Sequence, residues 1–401
     1  MALRWVAGVV GVLLVLAIAR ALISDLLVPR PANSALTKGI RLLVQGLISL
    51  VAATNWPYRR QHRLLSPVGP LVVIITLFIA VIGFLIGFSL LLYGLTGESV
   101  EQVVTAAGSG LLTLGMTHVA DPGQIVVTYL AAFTGMVIIA VLIGYLLVLL
   151  TSYQAREAGV VKSTVWAGEP AWGPELLCRR RLGGAGAMDP LAEGWIDWVC
   201  QLRVAHTLYP TLVYFRSSGN MRGWVTTLLA RMDAACLELA VATDSRDGNL
   251  TALIAEGVQT LRVMRILVEP TRSLSESEVV VPDFQEPNAG HPRAEALYRA
   301  IRMDGDRARQ TDPRNRLEER CTLTRDQFDE ATELLAAVGV PLVADREAAW
   351  RFFQRIRSQY EEDAYRVAER IHSAPAPWSG PRRGDLPTVW PTKSARILAD
   401  L

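Results

Sequence analysis

The stretch GLTGESVEQVVTAAGSGLLTLGMTHVADP, residues 94–122, separates two long apolar runs at 69–95 and 125–150. Glu98-Ser99-Val100-Glu101 has the acidic character of a first helical turn, which suits the positive end of the helix dipole. The helix it predicts runs to Leu112 and offers Val103, Val104, Ala106, Ala107, Leu111 and Leu112 for packing, with small Gly108-Ser109-Gly110 near its end. At about a dozen residues it is too short to cross a bilayer. After it the chain leaves helical pattern at Thr113-Leu114-Gly115-Met116-Thr117.

Outward from this stretch, charge divides the chain. Of 40 Lys/Arg and 38 Asp/Glu, eight basic and four acidic residues fall in the first 151 positions, and the rest is nearly neutral. The front reads as membrane region and the remainder as a soluble, helical region. No strongly basic domain is present, so nucleic acid is not an expected partner. Cys178, Cys200, Cys236 and Cys321 are far apart, without zinc-ligand spacing, which suits a reduced cytosolic setting and no metal. No Ser-His-Asp set or phosphate loop points to an enzyme.

Residues 5–27 are long and apolar enough to span about 30 Å of hydrocarbon. Ala19-Arg20-Ala21 has a faint small-x-small pattern, but the apolar run continues past it, which favours a span over a cleaved signal. Runs 69–95 and 125–150 are the other two spans. Residues 40–53 are shorter, flanked by Lys38 and Arg41 before and Arg59, Arg60, His62 and Arg63 after. They read as a helix lying on the cytosolic interface; if they also cross, there are four spans instead of three. The basic 59–63 run places that loop in the cytosol by the positive-inside rule. Residues 94–122 then lie outside, and the C-terminal region is cytosolic. The expected fold is an all-α membrane protein of the plasma (inner) membrane. It divides into a first span and interfacial helix at 1–66, a pore domain at 67–151, a linker at 152–188, a helical cytosolic domain at 189–372 and a disordered tail at 373–401.

Backbone at lipid depth that leaves a helix must line water or be buried in protein. A span, a re-entrant half-helix, a Thr-x-Gly turn and a second span together form the layout of a cation pore, and the C-terminal end of the half-helix favours cations. On Thr113 and Gly115 the chain resembles the potassium-channel superfamily, whose filter pattern is Thr-Val-Gly-Tyr-Gly-Asp. The resemblance implies a homotetramer and an ion-conducting filter at Thr113, Leu114, Gly115, Met116 and Thr117. Backbone carbonyls there replace the water of a permeant monovalent cation, K+ by analogy, with no cofactor. Three positions depart from the pattern. Met116 replaces a bracing aromatic, Thr117 replaces a glycine of positive φ, and His118 replaces the acidic residue at the mouth, where Asp121 partly substitutes. The chain also resembles uncharacterised bacterial pore-loop membrane proteins with a helical cytosolic domain, through Ser109-x-x-x-Thr113-Leu114-Gly115, His206-x-x-Tyr209-Pro210 and Tyr214-Phe215-Arg216-Ser217. Gly135 and Gly144 in the last span are candidate gating hinges or close-packing points. The alternative is a non-conducting membrane scaffold whose helical domain recruits a partner.

Residues 153–188, with Trp172-Gly173-Pro174 and Gly183-Gly184-Ala185-Gly186, read as irregular, and the glycines lack dinucleotide-binding spacing. Helical periodicity then dominates. A helix from Asp189-Pro190 ends at Tyr209-Pro210, and others cover 221–242 and 250–268. Thr324 with Gln327 forms a capping box for a helix stopped by Gly339 and Pro341. Asp345 caps a long helix whose stripe is Ala349, Phe353, Ile356, Tyr360, Ala364, Val367 and Ile371. Residues 283–319 are polar and read as loop. His206 with Arg203 and Arg216 is a candidate anion site, or else a helix contact. Trp195 and Trp198 read as core or subunit interface rather than a cofactor box. The ligand or partner of this domain is not legible.

Overall fold

The computed structural model describes residues 2–26, 35–116, 121–184, 189–243, 247–269 and 321–380. These residues are helical: α1 (Ala2–Leu26), α2 (Ala35–Ala52), α3 (Tyr58–Leu65), α4 (Val68–Thr96), α5 (Val100–Leu111), α6 (Pro122–Ala167), α7 (Gly173–Leu182), α8 (Asp189–Leu208), α9 (Trp224–Val241), α10 (Asp247–Val268), α11 (Arg325–Ala337) and α12 (Arg346–Arg370). A 3-10 turn covers Pro210–Tyr214. Three stretches are long and apolar enough to cross a membrane: Leu3–Ser24, Tyr58–Thr96 and Pro122–Ala167. Within α2 the apolar part, Leu42–Ala52, is shorter.

The chain divides into two compact units. The first comprises Met1–Val44, Pro67–Tyr153 and Thr207–Leu212. Here α1 and α4 run antiparallel, because Gly8 meets Gly94, Gly11 meets Gly87 and Ile18 meets Gly83. A Cβ on Gly11 would fall 2.7 Å from the Gly87 carbonyl oxygen, and one on Gly94 2.7 Å from the Gly8 Cα. In hydrocarbon, where burial of apolar surface gives little drive to associate, such close backbone contact is what holds helices together. The core of this unit joins Phe84, Phe88 and Leu92 of α4, Val103, Ala106, Ala107 and Leu111 of α5, and Val127 and Ala131 of α6.

The second unit comprises Gln45–Ser66, Gln154–His206 and Val213–Leu401. Its centre is α9, buried at every position but Leu239 and packed against α7, α10 and α12. The α12 stripe from Ala349 to Ile371 is buried as its spacing predicts. The Thr324/Gln327 capping box, the Asp345 cap and the left-handed Gly339 (φ 78°) all form. A fully buried Arg357 ties α12 to α9: Nε donates to Asp233 at 2.9 Å, Nη1 donates to Glu361, and Nη2 donates to the Trp378 carbonyl at 2.7 Å. Tyr360 adds a 2.8 Å hydrogen bond to Asp233.

Several boundaries differ from those read in sequence. The irregular linker at 152–188 is wrong where it is described: α6 continues to Ala167, and α7 follows with Leu176, Leu177 and Cys178 buried. The polar residues past 150 conceal a helix that buries Arg156, Val160, Ser163 and Ala167. The disordered tail is also corrected over 373–380. Ala374, Ala376 and Trp378 are buried, and the Trp378 ring lies 5.9 Å from Trp172 and 5.8 Å from Phe353. Residues 381–401, like the polar 283–319, lie outside the described residues. The 1–66 domain divides, since Gln45–Ser66 belongs with the second unit. Gln45 Nε2 donates to the Val268 carbonyl, and Tyr58 OH accepts from Arg216 at 2.5 Å.

Candidate functional site

The segment between α4 and α6 is assembled from both ends. Gly97 closes α4 in a left-handed turn (φ 70°), donating its N–H to the Tyr93 carbonyl at 3.0 Å. Ser99 then opens α5 through a capping box: Gln102 N–H donates to Ser99 Oγ at 3.4 Å, and Ser99 N–H to Gln102 Oε1 at 3.1 Å. This box refines the acidic-turn reading of the same residues. On α5, Val103, Ala106, Ala107 and Leu111 face the core, whereas Val104 and Leu112 are exposed on the single chain.

At its C-terminus α5 is held by close contact with α6. A Cβ on Gly110 would lie 3.1 Å from the Thr128 carbonyl oxygen. One on Gly135 would lie 1.8 Å from the Leu111 carbonyl oxygen, which occupies the space a side chain would take. Gly135 is thus a seat for the end of α5. Gly144 has nothing within 4 Å of its would-be Cβ, and α6 runs through both glycines without a break.

Beyond Leu112 the backbone alternates in hand. Thr113 has φ 55° and Gly115 φ 65°. Gly115 adopts this region freely, but for a β-branched residue it is strained. Such strain persists only where the surroundings over-determine it, and it concentrates at functional positions. The bracing residue is Ser109, which the sequence reading quoted without a role. Its carbonyl accepts from Leu114 N–H at 2.8 Å, and its buried hydroxyl accepts from Met116 N–H at 2.8 Å. Thr113 N–H donates to the Gly110 carbonyl at 2.9 Å. The amides of Thr113, Leu114 and Met116 are therefore all turned to the end of α5, while residues 112–116 are exposed on the single chain. Thr117 and His118 lie outside the described residues.

Asp121 opens α6, accepting from Gln124 N–H at 3.1 Å. Gln124 Nε2 in turn donates to Glu98 at 3.3 Å. Two acidic side chains, Glu98 and Asp121, are thereby linked through one glutamine where α5 and α6 begin.

In the second unit, the candidate anion site does not assemble as one site. Arg203 pairs with Glu256 at 2.6 Å. His206 is fully buried, with Nδ1 on the Leu202 carbonyl at 2.8 Å and its ring 5.0 Å from Trp224. Burial, reinforced by the nearby Arg156 charge, holds its pKa down to about 3, so it is neutral. Arg216 binds Tyr58 OH and the carbonyls of Ile371 and His372, while its Nε donates to His62 Nδ1 at 3.2 Å. The basic 58–63 helix is therefore fastened to residues 216 and 371–372. Among the described residues no cluster of His, Cys, Asp and Glu suited to a metal is present.

Compared with family models, characterised proteins and solved structures, the chain shows no significant match.

Proposed function

We propose that this chain is a subunit of a passive cation channel, potassium-channel-like in layout, that assembles as a homotetramer in the plasma membrane. In this reading α5 is a re-entrant pore helix, and Thr113, Leu114 and Gly115 form the conducting segment. The observation that carries it is the left-handed Thr113 and Gly115, two residues apart, with the amides of Leu114 and Met116 tied to the end of α5 through Ser109. Alternating hand turns successive carbonyls toward one side, whereas an extended strand points them to alternate sides. Amides held inward leave oxygens free to replace the water around a cation.

Two features add to this. The negative end of the α5 dipole faces the same loop, and Glu98 and Asp121 supply carboxylates at the other end of α5, where α5 and α6 begin. Exposed Leu112, Leu114 and Met116 on the single chain are apolar surface that neighbouring copies around an axis would cover. For orientation, Tyr58 and His62 are bonded to Arg216, so the basic 59–63 run and the C-terminal helices share one side of the membrane. The positive-inside rule makes that side the cytosol. The C-terminal helices then gate or assemble the pore.

The test is ion flux in liposomes holding the purified protein, comparing wild type with Thr113→Ala and Gly115→Ala. Passive, cation-preferring flux altered by either substitution supports the pore. A folded tetramer that passes no ions across voltage and pH leaves a membrane scaffold instead.

A further inference from the structure

The two faces of α3 differ in kind. Gln61, His62 and Leu65 are buried, and that face is fixed in place: Arg216 Nε donates to His62 Nδ1 at 3.2 Å, and His372 Nε2 lies 2.7 Å from Gln61 Oε1. Arg59, Arg60, Arg63 and Leu64 are exposed, three and four residues apart, and so share the other face. Trp56, just before the helix, is also exposed, and the Arg60 guanidinium carbon stands 4.5 Å from the centre of its ring. None of these three arginines pairs with a carboxylate among the described residues, whereas Arg203, Arg222, Arg265 and Arg325 of the same unit all do. The surrounding sequence offers them no counter-charge, since no Asp or Glu occurs between Asp25 and Glu98.

Apolar surface accompanies this charge. Leu47 and Leu50 of α2 are exposed one turn apart, as is Leu64 on α3 itself. Unpaired arginines together with exposed leucine and tryptophan match a surface that is anionic outside and hydrocarbon beneath, better than they match a soluble acidic partner. Position makes the same choice. Arg63 and Val68, the first residue of α4, are five residues apart, so the chain carries Arg63 no further than about 18 Å from the start of a helix long and apolar enough to span. A headgroup layer is therefore within reach of the arginine side chains.

We infer that the exposed face of α3 binds anionic phospholipid, its phosphate on Arg59, Arg60 and Arg63 and its upper acyl chain against Trp56 and Leu64. The inference needs α4 to span the bilayer but does not need the chain to conduct.

The probes are phosphatidylglycerol and phosphatidylcholine, each brominated near the headgroup end of the acyl chain, where bromine quenches a tryptophan that it touches. Full-length protein is placed in liposomes of both headgroups with one of them brominated, and the Trp56 signal is the difference between wild type and Trp56→Phe. That signal should report a preference for the anionic lipid of about fivefold or more, since each arginine near an anionic surface is worth about that factor. Raised salt should weaken the preference. Arg60 touches the reporter ring, so the charge variant is Arg59→Gln with Arg63→Gln. Both side chains are exposed, and the variant should keep its melting temperature while losing most of the preference. Trp56 quenched by neither lipid would overturn the assignment. Equal quenching by both would do the same and leave this face to a soluble acidic partner. A preference that survives whole in the double variant, or in Trp56→Phe, would place the lipid elsewhere and equally overturn it.

Discussion

Replacing Gly135 with alanine tests whether the end of α5 is seated on α6 as described. The added Cβ would lie 1.8 Å from the Leu111 carbonyl oxygen, with the Leu111 carbonyl carbon at 2.9 Å. Carbon–oxygen contacts settle at about 3.3 Å or more, so the helices must part by about 1.5 Å. Neither contacting atom belongs to a flexible side chain, and over-packing of this kind costs about 1–3 kcal/mol. The displacement falls on the helix end whose Gly110 and Ser109 carbonyls hold Thr113 and Leu114. Gly135→Ala should therefore lower the thermal stability of the protein and, on the proposed pore reading, reduce ion flux with it. Gly144→Ala is the internal control. With nothing within 4 Å it meets no obstacle, and it should be neutral or stabilise by about 0.5–1 kcal/mol through helix propensity. Thermal melting in detergent and liposome flux, measured on both variants, separate the two glycines. A Gly135→Ala protein that melts and conducts like wild type would refute the packing argument. Loss of flux in Gly144→Ala at unchanged stability would instead assign the hinge to that residue.

Ser109→Ala removes the acceptor for Met116 N–H, worth about 1 kcal/mol, and should shorten open events in single-channel records without reducing the yield of tetramer. Arg357→Met leaves Asp233 and Glu361 buried without their cation and should destabilise the second unit by about 3–5 kcal/mol, read by denaturant melts of tryptophan fluorescence. His206 is held at about 3 against 6.5 in the unfolded chain, so the unfolded state takes up the proton first as pH falls. The stability contributed by neutral His206 is complete above pH 6.5 and declines by about 1.4 kcal/mol per unit down to about pH 3. His206→Phe should flatten that part of the pH–stability curve.

What sequence made visible was whatever had a local physical cause. Thr324 with Gln327, Asp345 and Gly339 mark helix ends because caps satisfy the orphan backbone groups at the place where they occur. The α12 stripe and the three long apolar helices follow from periodicity and length. Hidden features depend on partners distant in the chain. Residues 152–167 look like a linker because their apolar signal stops, yet Val160 and Ala167 are fully buried. Pro375 and Pro377 suggest a tail, but Trp378 is buried beside Trp172 and Phe353. At the candidate pore, Thr113 and Gly115 were legible as a motif, whereas the Ser109 brace and the Gly135 seat required geometry. Gly8 and Gly11 were passed over because their partners, Gly94 and Gly87, lie far along the chain.

The central claim is that Thr113–Gly115 conducts cations, and current through a planar bilayer tests it most directly. Purified tetramer should be recorded under a potassium gradient with impermeant anion on both sides, beside Gly115→Ala. The account predicts discrete wild-type openings whose current reverses near the potassium equilibrium potential, and loss or altered conductance in the variant, whose side chain is unfavourable at φ 65°. Silent wild-type membranes with folded tetramer incorporated, or openings identical in both proteins, would contradict it.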